Sequence, residues 1–246
     1  MPPVYDSPAC ARGSNTRLPR KAGAVCFSEL PVARPPFAVL LLISAALGVV
    51  AAQTYQQKTE RERDTWQRVP ELLAAAKVRA GARVADIGAG DGFLTVRLSQ
   101  AVGPSGKVYA VDSDTRAIRN LRDRIAGAKL TNVDVIESSK DNPRLPVGTL
   151  DGVIVLNAYH EIDNGVGMLK QLFAALKPMG HIVISDPLPT ATASTRSAQV
   201  TEHELAPAFI VTDLRATGFQ ILERRDQFAT STRGAHFGLV VARKPQ

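Results

Sequence analysis

The chain has 246 residues, 45% apolar and 22% charged, which fits one large globular domain or two small ones rather than a low-complexity polymer. Its net charge of +7 divides into +3 over residues 1–52 (five basic, two acidic) and +4 over the remainder (25 basic, 21 acidic). No dense Lys/Arg run is interleaved with aromatics, so nucleic acid is not an expected partner. Both cysteines, Cys10 and Cys26, precede residue 30, which excludes a disulfide framework, a zinc–thiolate site or a cysteine nucleophile from everything that follows.

Residues 1–36 are rich in Pro, Ser, Gly and Arg and read as a disordered basic region. Phe37 to Ala52, FAVLLLISAALGVVAA, is 16 residues without a charge, preceded by Arg34 and by Arg17, Arg20 and Lys21. Its end, Val50-Ala51-Ala52, carries small residues of the kind a signal peptidase needs. Segment 37–52 is therefore expected to be a signal peptide or a membrane anchor, and the protein to be exported (periplasmic or extracellular) or membrane-anchored. A buried core helix is the competing reading, but the polar run QTYQQKTERERD behind it offers little to pack on. Residues 53–64 read as a linker and 65–246 as the domain, with helical character setting in from about Thr59. RERDTWQRVPELLAAAKV then places Trp66, Val69, Leu72 and Leu73 on one face, and Pro70 is suited to begin a second helix after a break.

Strand and helix patterns alternate from there to the end. Strands are expected at Arg83 to Ile87, Lys107 to Val111, Val133 to Glu137, Leu150 to Leu156, His181 to Ser185, Phe219 to Arg225 and Phe237 to Arg243. Helices are expected at Phe93 to Val102, Thr115 to Ala126, Val166 to Leu176 and about Leu205 to Ala216. DPLPTATASTRSAQ, Asp186 to Gln199, reads as a soft loop. Continuous apolar strands such as GVIVL and HIVIS imply an α/β fold with a mostly parallel sheet covered by helices on both faces. The last two strands, joined by a non-helical loop of about a dozen residues, imply an antiparallel closure.

The first strand runs into the turn VADIGAGDGFLT. A dinucleotide fold wants G-x-G-x-x-G, but Gly88, Gly90 and Gly92 form G-x-G-x-G, and Phe93 holds the third dinucleotide position. A Walker loop is excluded because no G-K-[ST] follows. Asp86 precedes the glycines, and Asp112 closes the second strand in VYAVDSD. An acid at that strand end can accept both hydroxyls of a ribose. Helix capping is the competing role for Asp112, and Asp114, directly before TRAIRNLRDRI, is better placed for it.

With these residues the sequence resembles the class I S-adenosylmethionine-dependent methyltransferases over roughly Thr65 to Ala242, and is most similar to small bacterial enzymes related to those of ubiquinone/menaquinone biosynthesis and arsenite methylation. Four blocks carry the resemblance in order: WQRVPELLAAAKVRAGARVADIGAGDGFLTVRLSQAVGPSGKVYAVDSD, LDGVIVLNAYHEI, LFAALKPMGHIVISDP and LRATGFQILE. It implies a Rossmann-like, doubly wound seven-stranded sheet with an antiparallel last strand, S-adenosyl-L-methionine as cofactor, and a small-molecule acceptor. It further implies that Gly88, Gly90 and Gly92 admit the methionine part of the cofactor, that Asp86 helps hold its amino group, and that Asp112 takes the ribose. Where relatives have an adenine-binding Asp, this chain has Ser139, with Asp141 two residues on.

NAYHEID after the fourth strand puts Asn157, Tyr159, His160, Glu161 and Asp163 at the carboxyl edge. Asn157 is expected to line the cofactor pocket. His160 is the candidate base for an acceptor that must lose a proton, against the plainer role of a structural hydrogen bond. His203 and Glu204 are candidates for a lid, with helix capping by Thr201 and Glu204 the simpler reading. No metal is expected, because no H-E-x-x-H or comparable ligand spacing occurs. The expected function is methyl transfer to a small molecule. The alternatives are a catalytically silent S-adenosylmethionine-binding sensor and, disfavoured by Phe93, an NAD-dependent oxidoreductase. A cytosolic methyl donor conflicts with an exported domain, which leaves possible membrane association through 37–52 as the reading that reconciles them.

Overall fold

The seven expected strands all form: β1 (Arg83–Ile87), β2 (Lys107–Asp112), β3 (Val133–Glu137), β4 (Leu150–Leu156), β5 (Leu176–Ser185), β6 (Gln220–Thr230) and β7 (His236–Arg243). The structure, a computed structural model, describes residues 58–139, 141–190 and 195–246, all within a compact unit spanning Val49–Gln246. The sheet order is β3-β2-β1-β4-β5-β7-β6. β7 alone runs antiparallel to its neighbours.

Successive residues of the central strands belong to different cores. Val153 and Val155 pack into the core beneath α5 (Gly165–Ala175) and α7 (Pro207–Ala216), whereas Ile154 joins the core built with α2 (Val69–Ala75) and α3 (Phe93–Val102). All three are fully buried, which explains the continuous apolar run at GVIVL. α4 (Thr115–Gly127) packs through Leu121 and Ile125 on Ala110, and Asp114 caps it by accepting from the Ala117 N–H at 2.7 Å, as expected.

Several boundaries move. Residues 58–66 are helical (α1), so the linker expected at 53–64 and the domain start at 65 both cut through a helix. Ion pairs explain why α1 belongs to the domain: Glu60 and Asp64 lie 3.0 and 2.7 Å from the Arg97 guanidinium, and Glu60 also lies 2.5 Å from Arg124. α2 follows with Pro70 in its first turn after Arg68 adopts a left-handed conformation. β6 runs to Thr230, five residues past its expected end, so the closing loop is only 231–235. The soft stretch Asp186 to Gln199 leads into α6 (Arg196–Thr201), capped by Thr195. Thr201 and Glu204 cap no helix: Thr201 ends α6, and Glu204 accepts from the Thr190 N–H at 3.0 Å.

Segments 1–36 and 37–52 lie outside the described residues. The expectation of an exported or membrane-anchored protein is nonetheless corrected, because no described helix is long and apolar enough to cross a membrane.

One buried polar contact ties the loop after β4 to the C-terminal helices. The Tyr159 hydroxyl donates to Asp213 on α7 at 2.8 Å, and Arg196 on α6 pairs with both Asp213 oxygens at 2.9 and 2.6 Å. Burial, reinforced by Asp213, pushes the Tyr159 phenol well above its ordinary range, so it stays a donor. Tyr159→Phe removes one charge-assisted hydrogen bond while Arg196 still neutralises Asp213. Chemical denaturation should show a loss of about 2 kcal/mol, and an unchanged midpoint would contradict the tether.

The glycine turn yields a second expectation. A Cβ at Gly92 would sit 2.6 Å from Leu121 Cδ1 with φ at +78°, and a Cβ at Gly88 would sit 2.3 Å from the Ala158 Cβ with φ at +72°. At Gly90 nothing lies nearer than the Gly88 carbonyl at 4.0 Å. Gly92→Ala should therefore lower the melting temperature more than Gly90→Ala, since only the former adds overpacking to backbone strain. Equal losses would refute that division.

Candidate functional site

β1 and β4 are adjacent, and the chain winds away from them in opposite directions across the sheet, so the turns at their carboxyl ends separate and leave a crevice. A cavity of ≈ 620 Å³ occupies it. Gly88 to Asp91 form one wall, Asp112 to Asp114 with Ser138 and Ser139 another, and Leu156 to Ala158 a third.

Asp112 is held at this wall by two backbone donors, the Gly90 N–H to Oδ2 at 2.8 Å and the Asp114 N–H to Oδ1 at 2.9 Å. Each oxygen keeps further acceptor capacity, so the carboxylate is oriented without being used up. Gly90 is thus positioned by the acid that the sequence paired with it, and its missing side chain leaves the cavity floor open. Gly88 and Gly92 serve close packing instead, against Ala158 and Leu121.

Asp86 does not line the cavity. It is 2% exposed, and its Oδ2 accepts from the Thr95 hydroxyl at 2.6 Å. Burial raises its carboxyl to about 6, with Thr95 opposing the rise and Asp112 adding to it. Because the folded value lies above the ordinary 3.8, the unfolded chain ionises first as pH rises, and stability falls between about pH 4 and pH 6. At neutral pH the cost is on the order of 3 kcal/mol. A fold that carries such a buried acid beside a cavity is suited to a cationic ligand.

Asn157 lines the cavity, with φ at +55° and its N–H donating to the Ser185 carbonyl at 2.7 Å. Ser139 also lines it, but Asp141 is exposed and does not. The bridge between Ser139 and Asn142 turns the chain back on itself there, leaving Asp141 outside the wall. Arg63 on α1, which sequence reasoning missed, does line the cavity. Its guanidinium lies 4.0 Å from the centre of the Phe93 ring and 3.6 Å from Asp91. The block resembling known enzymes begins just short of it, at Thr65, and nothing in the spacing marks one Arg of RERD as inward-facing.

His160 is 4% exposed and lines a second cavity of ≈ 420 Å³, which shares Glu161, Ile162 and Asp163 with the first. The Asp186 carboxylate accepts from the His160 backbone N–H at 2.8 Å and lies 3.4 Å from ring Nδ1. Burial disfavours a charged ring, but Asp186 and Glu161 outweigh it and raise the His160 pKa above its ordinary value. His203, far away in sequence, stands edge-on to His160 with ring centres 5.6 Å apart. His181 and His236 sit on β5 and β7, where His236 Nδ1 lies 3.0 Å from the Thr230 hydroxyl.

Comparison with known proteins agrees with this geometry. Residues 84–180 match the family described as "Methyltransferase domain". The ubiquinone/menaquinone biosynthesis C-methyltransferase UbiE of Pseudomonas fluorescens is 29% identical over 120 residues, covering 48% of this chain and 46% of that protein. The chain thus spans about half the length of the curated relatives it matches. A SAM-dependent methyltransferase from Aquifex aeolicus shares the fold at a TM-score of 0.61 and 22% identity, covering 72% of this chain and 89% of its own. Phosphoethanolamine N-methyltransferase 2 of Haemonchus contortus, solved with S-adenosylhomocysteine, does so at a TM-score of 0.60 and 17% identity, covering 74% of this chain and 53% of its own. The strand order with its reversed β7, the glycine turn and the anchored Asp112 thus accompany a match to a methyltransferase domain over residues 84–180, and the chain is similar in sequence and fold to S-adenosylmethionine-dependent methyltransferases.

Proposed function

We propose that this protein binds S-adenosyl-L-methionine in the cavity at the carboxyl edge of β1 and transfers its methyl group to a small-molecule acceptor. The observation that carries this reading is Asp112, whose carboxylate is fixed by the Gly90 and Asp114 amides at the cavity wall with lone pairs left for a vicinal diol. In this reading Asp112 takes the ribose, the Gly88–Gly92 turn admits the methionine chain, Ser139 and Asn157 line the remaining wall, and Arg63 takes the methionine carboxylate. Asp86 acts through its charge from behind the turn, favouring the donor's ammonium and sulfonium groups without touching them.

The sulfonium brings an already activated methyl group, so the chain's contribution is to align an acceptor and exclude water. The second cavity, joined to the first along Glu161, Ile162 and Asp163, is the place this reading gives the acceptor. His160 is not retained as the base, because its ring faces Glu161, His203 and Asp186 rather than the donor cavity. That orientation also favours a second reading, a donor-binding domain without turnover.

Isothermal calorimetry with S-adenosylmethionine, S-adenosylhomocysteine and NAD tests the donor assignment, with the first two expected to bind at one site and NAD not to. Binding of NAD alone would overturn it. Methyl transfer to a member of an acceptor panel would decide against the silent domain.

Two variants follow. Arg63→Ala, verified as folded by circular dichroism, should weaken donor binding about tenfold or more, the worth of a charge-assisted pair. Asp86→Asn should raise thermal stability at pH 7 by removing a buried charge, and weaken donor binding in the same protein. In the native protein, donor affinity should fall as pH drops through about 6, where Asp86 takes up a proton. A pH-independent affinity that Asp86→Asn leaves unchanged would separate Asp86 from donor binding.

A further inference from the structure

The wall between the two cavities gathers a set of side chains that the donor site does not use. His160 and Glu161 come from the 3-10 turn Tyr159–Glu161 after β4, and His203 from the residues just after α6. One ligand atom from each, an imidazole nitrogen or a carboxylate oxygen, lies within 4.8 Å of the others. His160 Nε2 is 3.7 Å from Glu161 Oε1, and His203 Nδ1 is 3.9 Å from the same oxygen.

The buried partner of this set is oriented from behind. His160 Nδ1 and Asp186 Oδ1 face each other at 3.4 Å, both buried and neither with another hydrogen-bond partner. Asp186 is itself held through its other oxygen by the His160 backbone N–H. A proton on Nδ1 directed at Asp186 leaves Nε2 with its lone pair toward Glu161 and His203, the carboxylate–histidine arrangement that orients an imidazole for a metal.

We propose that His160 Nε2, Glu161 and His203 Nδ1 form a binding site for one divalent transition-metal ion of the zinc class, with Asp186 orienting His160. Two imidazoles and one carboxylate suit zinc and its neighbours rather than magnesium or calcium, which prefer all-oxygen shells. Ligand bonds near 2.0–2.1 Å place tetrahedral donors about 3.3 Å apart, so each imidazole nitrogen must approach the Glu161 oxygen by about half an ångström, and the widest separation, within 4.8 Å, must close by up to about 1.5 Å. The movement falls on exposed side chains, since Glu161 is 62% and His203 75% exposed while the His160 side chain is 2% exposed.

His203 reaches the site because α6 is fastened to the same turn. Arg196 on α6 and Tyr159 beside His160 share Asp213, which fixes the helix that leads into His203 against the loop that carries His160. Three protein ligands leave a fourth position for water or for an oxygen or nitrogen of a bound small molecule, as in catalytic rather than structural zinc sites.

The test uses the full chain, stripped with chelator and titrated with zinc chloride by calorimetry, with bound metal counted by mass spectrometry. The expected result is one equivalent of zinc. His203→Ala and Glu161→Gln, both at exposed side chains that leave the fold intact, should each weaken it at least about tenfold. His236→Ala, a histidine on β7 outside the cluster, should leave affinity unchanged and controls for adventitious binding. Cobalt(II) added to the stripped protein should give visible d–d absorption that His203→Ala abolishes. Absence of zinc binding at micromolar concentrations, or binding that both variants leave unchanged, would overturn the proposal. Because the readout is metal content, it stands or falls independently of methyl transfer.

Discussion

The site depends on how closely the turns after β1 and β4 approach. Gly88 and Ala158 come so near that a single added methyl carbon would lie 2.3 Å from its neighbour. That contact closes the bottom of the crevice between two adjacent strands whose following helices leave on opposite faces, and the cavity opens above it. The remaining walls are arranged around it: Asp112 reaches from the neighbouring strand to the Gly90 amide, and α1 is drawn over the turn by ion pairs from Glu60 and Asp64 to Arg97 and from Glu60 to Arg124.

Charge around the turn is divided between two layers. Asp112 is partly exposed and hydrogen-bonded to backbone, so it can meet a ligand directly. Asp86 is shut behind the turn, where burial raises its pKa to about 6 and makes it a source of instability at neutral pH. Such a residue is more readily understood through binding than through folding, because a cationic ligand nearby would recover the free energy that its burial costs. A parallel division appears at the second cavity, where buried Asp186 stands behind His160 and exposed Glu161 and His203 stand before it.

The sheet was legible wherever both faces of a strand are buried. β1 and β4 occur at the expected residues, because a short apolar run bounded by turn residues leaves little freedom in placing them, and the edge strand β3 does so through the alternation of VDVIE. β6 was drawn short because it is an edge strand whose ERRDQ stretch alternates exposed and half-buried positions, a pattern that reads as loop. α6 was missed because six residues in a Pro/Thr/Ser/Ala stretch carry too little periodicity. In the site, the glycine turn and Asp112 were readable because backbone conformation and strand-end position restrict the residue type. Arg63 and the meeting of His160 with His203 were not, since each depends on how a helix or loop far away in sequence folds back on the sheet, and neither was Asp141, which the local Ser139–Asn142 bridge leaves outside the wall.

A structure of the protein crystallised with S-adenosylhomocysteine would show directly whether Asp112 holds the donor. The ribose hydroxyls should lie on Asp112, the homocysteine chain along Gly88 to Gly92 and its carboxylate at Arg63. A ligand bound elsewhere, or one that occupies the cavity without contacting Asp112, would contradict it.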